Sequence, residues 1–166
     1  MTDSRASLPG RRVADSATEM LQFVLPHEAN VHGSVLGGTV MHWIDLAAAA
    51  VANRHSRRPV VTAAFDEMSF LAPITVGQFA LLDARLTLVD KSSMEICVKV
   101  ESEDPLTGEK RHTATAYVTF VALDPATGRP TTVPPLILET EEEKAEHERA
   151  LERRRLRLER RRSHQK

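Results

Sequence analysis

From His27 to Asn53 the chain reads HEANVHGSVLGGTVMHWIDLAAAAVAN, a glycine-punctuated loop running into a helical stretch with almost no polar face. Met41, His42, Trp43 and Ile44 precede Asp45, and Leu46, Ala47, Ala48, Ala49, Ala50 and Val51 follow it. A helix that is apolar on nearly every side has to be wrapped by the rest of its fold. Asp45 is therefore expected to be buried, where an ionised carboxylate left unpaired costs roughly several kcal/mol. Gly33, Gly37 and Gly38 remove side chains where the backbone must turn tightly or approach a ligand. A helix opening there presents unpaired amide N–H groups and a partial positive charge, which suits an anion or oxyanion. Taken singly, the glycines need only start a helix, and Asp45 could be a structural residue satisfied by a backbone donor. The combination is more specific than either part.

The flanking sequence supplies the wrapping. Asp15 to Leu25 reads as a first strand closed by Pro26, the helix runs from about Gly38 to Ser56, and Arg57, Arg58 and Pro59 break it. Val60 to Phe70 reads as a second strand, with Pro73 and Gly77 marking the turn after it. From Gln78 to Val89, Ala80, Leu82, Ala84, Leu86 and Leu88 form one wholly apolar face. Met94, Ile96, Val98 and Val100 repeat the pattern opposite Glu95, Cys97, Lys99 and Glu101. A turn over Asp104 to Gly108 leads into a last strand from about Glu109 to Leu123, whose Ala114 and Ala116 let a helix lie close. One apolar helix and several alternating strands with hairpin-scale connections predict an α+β fold, an antiparallel sheet around a central helix.

With 166 residues the chain can build one core but not two ordinary domains. Four segments are expected: a flexible N-terminus over 1–14, the domain over 15–125, a proline-rich linker over 126–138 and a charged helix or tail over 139–166. A net charge of −1 argues against a general nucleic-acid surface, and no apolar run is long enough to span a bilayer. MTDSRASLPGRR has no apolar segment of the secretory kind, which predicts a cytoplasmic protein. The single cysteine, Cys97, has no local support as a nucleophile and reads as structural. After Glu139 the sequence turns to TEEEKAEHERALERRRLRLERRRSHQK, acidic first and basic later, the favourable order for a helix dipole. Leu151 and Leu158 are too sparse for a core stripe, so a solvated terminal helix is expected, ahead of subunit docking and of RNA or anionic-membrane binding.

Asn30, His32, Gly33, Val35, Gly37, Gly38 and Asp45, followed by VVTAAFDEMSFLAPITVGQ from Val60 to Gln78, resemble the hotdog-fold acyl-CoA thioesterases, specifically the cytosolic acyl-CoA hydrolase branch. The resemblance covers about residues 15–125, and its pattern is N-x-x-G-x-x-x-G-G with an Asp seven positions later. It implies the hotdog topology and pairing of two domains into one continuous sheet. It also implies active sites at the dimer interface and further assembly into tetramers or hexamers, with a hexamer built as a trimer of dimers favoured. Geometry independently favours a shared site: seven residues of helix put Asp45 about 10 Å from Gly38, too far to serve its own helix's amides, whereas a two-fold axis makes two equivalent mixed sites.

The resemblance further implies hydrolysis of an acyl-CoA thioester. The Gly38 N–H would be the oxyanion donor with Gly37 close by, Asp45 the general base or a nucleophile giving an anhydride, and Asn30 of the partner subunit the positioning group. His32 and Gly33 belong to the substrate loop, and Thr62 and Ser69 are secondary polar candidates. Arg57, Arg58, Lys91 and Arg111 are candidates for the phosphates of coenzyme A. Met41, Trp43 and Phe70 could set the depth of an acyl channel. No cofactor is required, since coenzyme A is part of the substrate, and the scattered histidines have no metal-ligand spacing such as H-E-x-x-H. Three other readings are a hotdog dehydratase or hydratase, a non-catalytic acyl-CoA sensor, and an interaction protein acting through its tail.

Overall fold

The computed structural model describes residues 8–66 and 68–164. In chain order the elements are β1 (Arg11–Arg12), β2 (Thr18–Phe23), α1 (Gly37–Ser56), β3 (Val60–Phe65), β4 (Phe79–Val89), β5 (Ser93–Glu103), β6 (Lys110–Ala122), β7 (Leu136–Ile137) and α2 (Glu141–His164). β2 to β6 form one five-stranded antiparallel sheet in the order β2-β4-β5-β6-β3, curled around α1 in the hotdog arrangement. Register shifts at Thr62/Ala64, Leu86/Leu88 and Val100/Glu101 supply the local kinks that help a sheet curl.

The alternation seen in the sequence becomes the core. Ala80, Leu82 and Ala84 of β4, Met94, Ile96 and Val98 of β5, and Ala114, Ala116 and Phe120 of β6 are buried against Val40, Ile44, Ala47, Ala48, Val51 and Ala52 of α1. The alanines of β6 and α1 allow the helix axis to approach the sheet closely. α1 ends where Arg57 adopts a left-handed conformation with φ 54°, its N–H donating to the Asn53 carbonyl. His55, wholly buried in the last turn, has Nε2 2.8 Å from the Pro134 carbonyl, and burial pushes its pKa down.

Four differences from the sequence reading stand out. α1 is not apolar all round: Met41, His42, Leu46, Asn53 and Arg54 lie on an exposed face of the protomer, and Asp45 beside them is half-buried rather than buried. The strand read from Asp15 starts at Thr18, as β2, because residues 13–15 form a 3₁₀ turn closed by the Arg12–Asp15 ion pair. β3 ends at Phe65 instead of Phe70, since beyond the Asp66 N–H bond to the Tyr117 carbonyl the next bond to β6, among the described residues, is that of Leu71 to Thr113. The solvated terminal helix is not found: α2 docks on the outer face of its own sheet.

That docking is chiefly polar. Ala150 is wholly buried, His147 Nδ1 lies 2.9 Å from the Thr87 carbonyl, and Arg153 stacks 3.6 Å over the Tyr117 ring. Arg153 also reaches Glu95, whose side chain is 1% exposed. A charged helix needs no leucine stripe when the face it covers offers a buried carboxylate and an aromatic ring. Along the helix Glu152 bonds Arg155, whereas Arg153 turns to Glu95 and Glu146.

Residues 126–138, read as a linker, run back along the sheet. Thr131 and Val133 donate to the Ala122 and Lys91 carbonyls, Val133 is wholly buried, and β7 pairs in parallel with β1. The expected flexible N-terminus meets this strap at Arg11, whose N–H donates to Pro135, and residues 1–7 lie outside the described part. Among the described residues no helix is long and apolar enough to cross a membrane.

Candidate active site

The loop before α1 is organised by Asn30. Its Oδ1 accepts from the backbone N–H of His32 at 2.9 Å and of Ser34 at 3.3 Å, while its own N–H donates to the Ser34 carbonyl at 2.8 Å. Gly33 closes this turn with φ +78°, a conformation in which a β-carbon would be strained. The carbonyl side of the Asn30 amide is thus committed to the loop, and among the described residues its Nδ2 donates to nothing. Val35 and Val76 tie the loop to the 74–76 segment through Val35 N–H to Ile74 O and Val76 N–H to Gly33 O.

α1 follows directly, capped by no side chain at Leu36. The Thr39 and Val40 N–H groups donate to the Leu36 carbonyl, and among the described residues those of Gly37 and Gly38 have no acceptor. The helix dipole adds positive potential at the same point. The two glycines differ in surroundings. A β-carbon on Gly37 would sit 3.4 Å from the Phe70 ring, whereas one on Gly38 would meet open space. Beneath this opening lies a cavity of about 330 Å³ lined by Val35, Gly37, Val40, Phe70, Ile74 and Thr113. Simple alternation places Thr113 on the strand face opposite Ala114, with Thr115 and Tyr117, and not in the cavity. Thr113 sits at the register shift that displaces β6 against β5 after Val100, and a shift of this kind leaves no trace in an alternation count.

Two turns into α1, Asp45 accepts a hydrogen bond from Thr62 Oγ1 at 2.7 Å on Oδ1. The register shift between Thr62 and Ala64 stands where the edge strand β3 passes Asp45. Thr62, a secondary candidate by sequence, is therefore the direct partner of Asp45. Within one chain Asn30 and Asp45 share no hydrogen bond, and Asp45 stands about 10 Å along the helix from Gly38.

The other candidates scatter. His32 is exposed and contributes its backbone N–H to Asn30, and Ser69 is exposed beside Phe70. Arg57 and Arg58 lie at the far end of the 20-residue α1, about 30 Å from Gly37, and Lys91, in the β4–β5 turn, is at that end too. Arg111 is at the cavity end, two residues before Thr113, with Glu109 4.0 Å away. Trp43 is buried in the core, Met41 is exposed, and Phe70 is the one of the three proposed channel residues that lines the cavity. Cys97 is buried, and its thiol is pushed up to about 11 by burial, with Glu146 adding to the effect. Among the described residues no three of His, Cys, Asp and Glu are grouped to hold a metal ion.

Residues 32–109 match the model of the thioesterase superfamily, and the chain is 44% identical over 130 residues to an uncharacterized acyl-CoA thioester hydrolase of Bacillus subtilis, covering 78% of this chain and 75% of that one. It belongs to the thioesterase superfamily. This thioesterase is also 37% identical over 139 residues to the human cytosolic acyl coenzyme A thioester hydrolase, matching 82% of itself but only 36% of that longer protein. Among solved structures, the acyl-CoA hydrolase of Staphylococcus aureus in complex with butyryl coenzyme A and coenzyme A superposes with a TM-score of 0.88 at 34% identity, covering 95% of each chain. That enzyme has also been solved with an asparagine, an aspartate fifteen positions on, or a threonine seventeen beyond the aspartate replaced by alanine. An acyl-CoA thioesterase described as hexameric superposes equally well, with a TM-score of 0.88 at 37% identity and coverage of 92% of this chain and 97% of that one.

Proposed function

We propose that this thioesterase hydrolyses fatty acyl-CoA to free fatty acid and coenzyme A at sites shared between two copies of the chain. The observation that carries the reading is the separation of its two chemical halves. A hydrogen-bonded carboxylate, Asp45 with Thr62, and a helix terminus with two free amides, Gly37 and Gly38, lie on one helix too far apart to act on one carbonyl. An isologous pair places each half opposite the other's complement. The exposed face of α1 around Met41, Asp45 and Leu46, next to the edge strand β3 with its exposed Val61, is the surface such a pairing would cover.

Each group then has a defined task. The thioester carbonyl oxygen accepts from the Gly38 N–H, the amide with open space before it, and negative charge developing there is stabilised without reorganisation. Thr62 fixes the Asp45 carboxylate through Oδ1, leaving Oδ2 to take a proton from the attacking water. Water oxygen bonds to the carbonyl carbon, the carbon–sulfur bond breaks, and the thiolate of coenzyme A leaves and is protonated. Attack by Asp45 itself, giving an anhydride that water then opens, uses the same geometry. Asn30 of the other copy contributes its Nδ2 as a donor, since its Oδ1 is engaged in the loop. The asparagine, aspartate and threonine altered in the S. aureus enzyme have the spacing of Asn30, Asp45 and Thr62, which supports these assignments. The acyl chain occupies the cavity behind Gly37. Arg111 stands at that cavity's end, and Arg57, Arg58 and Lys91 belong to the opposite end of the sheet, so Arg111 is the first candidate for a phosphate of coenzyme A. A cytoplasmic hexamer fits the names of the relatives.

Free thiol released from a panel running from acetyl- to palmitoyl-CoA tests this reading. Turnover that collapses in a folded, still oligomeric Asp45→Ala variant supports it. Binding without turnover in the unaltered protein replaces it with the sensor reading.

A further inference from the structure

We propose that Arg157 of α2 is a positioning residue for the active site, bracing through Asp66 the segment that joins the two halves of the site. Asp66 occupies a particular place: it follows β3 by one residue, four positions after Thr62, which holds Asp45, and four before Phe70, which covers Gly37. Its backbone N–H donates to the Tyr117 carbonyl at 3.0 Å, and that of Leu71 to the Thr113 carbonyl at 2.8 Å. Asp66 and Leu71 are thus each tied to β6, and Met68 between them packs on the core.

What holds the Asp66 side chain comes from the other side of the sheet. Arg157 Nη1 lies 2.7 Å from Asp66 Oδ2 and 3.3 Å from Glu95 Oε2, with side chains 15%, 20% and 1% exposed respectively. Arg153 neutralises the other Glu95 oxygen at 2.9 Å. Buried ion pairs gain little net stability, because desolvating the charges offsets their attraction. A guanidinium shared between a carboxylate on the central strand β5 and one at the head of the site segment does something an apolar contact cannot. It fixes the direction and register of that segment against a rigid strand. Phe70 then stands over Gly37, where an added β-carbon would lie 3.4 Å from its ring, and forms a wall of the cavity. The C-terminal helix, far from the reacting atoms, is in this way part of the apparatus that shapes the substrate cavity.

The inference rests on the hydrolase reading of that cavity, and its test separates the two. Arg157→Met, Arg157→Lys, Asp66→Asn and the double variant Asp66→Asn/Arg157→Met are assayed for KM and kcat with butyryl-CoA. Affinity for S-butyl-CoA, a thioether that cannot be hydrolysed, is measured by calorimetry beside circular dichroism and oligomer mass. A shift of even about 1 Å in a positioning wall is worth up to about a hundredfold. The expected result is about a tenfold rise in KM and the same loss of thioether affinity in Arg157→Met and in Asp66→Asn. The double variant should be no worse than either, and Arg157→Lys should recover most of the loss. A merely structural role gives fewer folded sites, hence a lower apparent kcat and melting temperature at unchanged KM and affinity, and that result, or additive losses in the double variant, overturns the brace. A wild type that binds the thioether but releases no thiol removes the hydrolase reading while the affinity series still decides the brace, and one that does not bind the thioether overturns both.

Discussion

Thr62→Val is the sharpest single perturbation of the site. Valine keeps the volume and the strand preference of threonine but removes the hydroxyl that donates 2.7 Å to Asp45 Oδ1. A hydrogen bond to a charged acceptor is worth about 1.5–3 kcal/mol, and because Thr62 is exposed in the protomer the lower end applies. Loss of about 1.4 kcal/mol from the transition state is a tenfold fall in kcat. KM should hold within about twofold, since the hydroxyl orients the carboxylate and does not line the cavity. Thr62→Ser, which keeps the donor, should retain most of the activity. Thiol release under saturating acyl-CoA, with thermal melts to confirm that stability moves by less than about 0.5 kcal/mol, reads the effect. A Thr62→Val enzyme with kcat within twofold of wild type would show that Asp45 needs no orienting donor, and the assigned role of Thr62 would fall.

Gly38→Ala has room for its β-carbon and adopts helical geometry, so the melting temperature should hold or rise. Activity should fall at least about tenfold as the methyl group crowds the oxyanion site, and a stable, fully active variant would move the donor elsewhere. His55 is held neutral by burial with its pKa lowered from 6.5, so the unfolded chain binds the extra proton first and stability is lost as pH falls below about 6.5 toward the folded value. His55→Gln should flatten the melting temperature against pH in that window relative to wild type, by at most about 1.4 kcal/mol per pH unit, and parallel curves would place the sensitivity on other groups. Cys97, buried with its thiol pushed up to about 11, should resist iodoacetamide at pH 8 in the native protein and react once unfolded, with activity undisturbed by the reagent. Rapid native labelling would mean that α2 leaves the outer face of the sheet readily.

Much of the fold was legible because its signals are local. The helix start came within one residue from the paired glycines, and its end from the residues before Pro59. β4, β5 and β6 followed from alternation, since each presents one face to α1. β3 was read too long because Met68 and Phe70 continue an alternating pattern, and only the tertiary structure shows that after Asp66 the next bond to β6, among the described residues, is that of Leu71 to Thr113. The docking of α2 was not legible at all, because it depends on Glu95, some sixty positions away, standing on a sheet face with the Thr87 hydroxyl but no cation beside it until Arg153 and Arg157 arrive. Within the site, the glycine loop and Asp45 announce themselves by composition. The choice of Thr62 over Ser69 as the partner of Asp45 depends on where the edge strand passes the helix.

The central claim is that each site takes its carboxylate from one copy and its asparagine from the other. Asp45→Ala and Asn30→Ala proteins, each inactive alone, are unfolded together in equal amounts, refolded and assayed for thiol release. Random pairing makes half the dimers mixed, and each mixed dimer carries one site with both wild-type residues and one with neither. About a quarter of wild-type activity should return, and no recovery in a mixture shown by native mass spectrometry to contain mixed dimers would mean that both residues of a site belong to one chain.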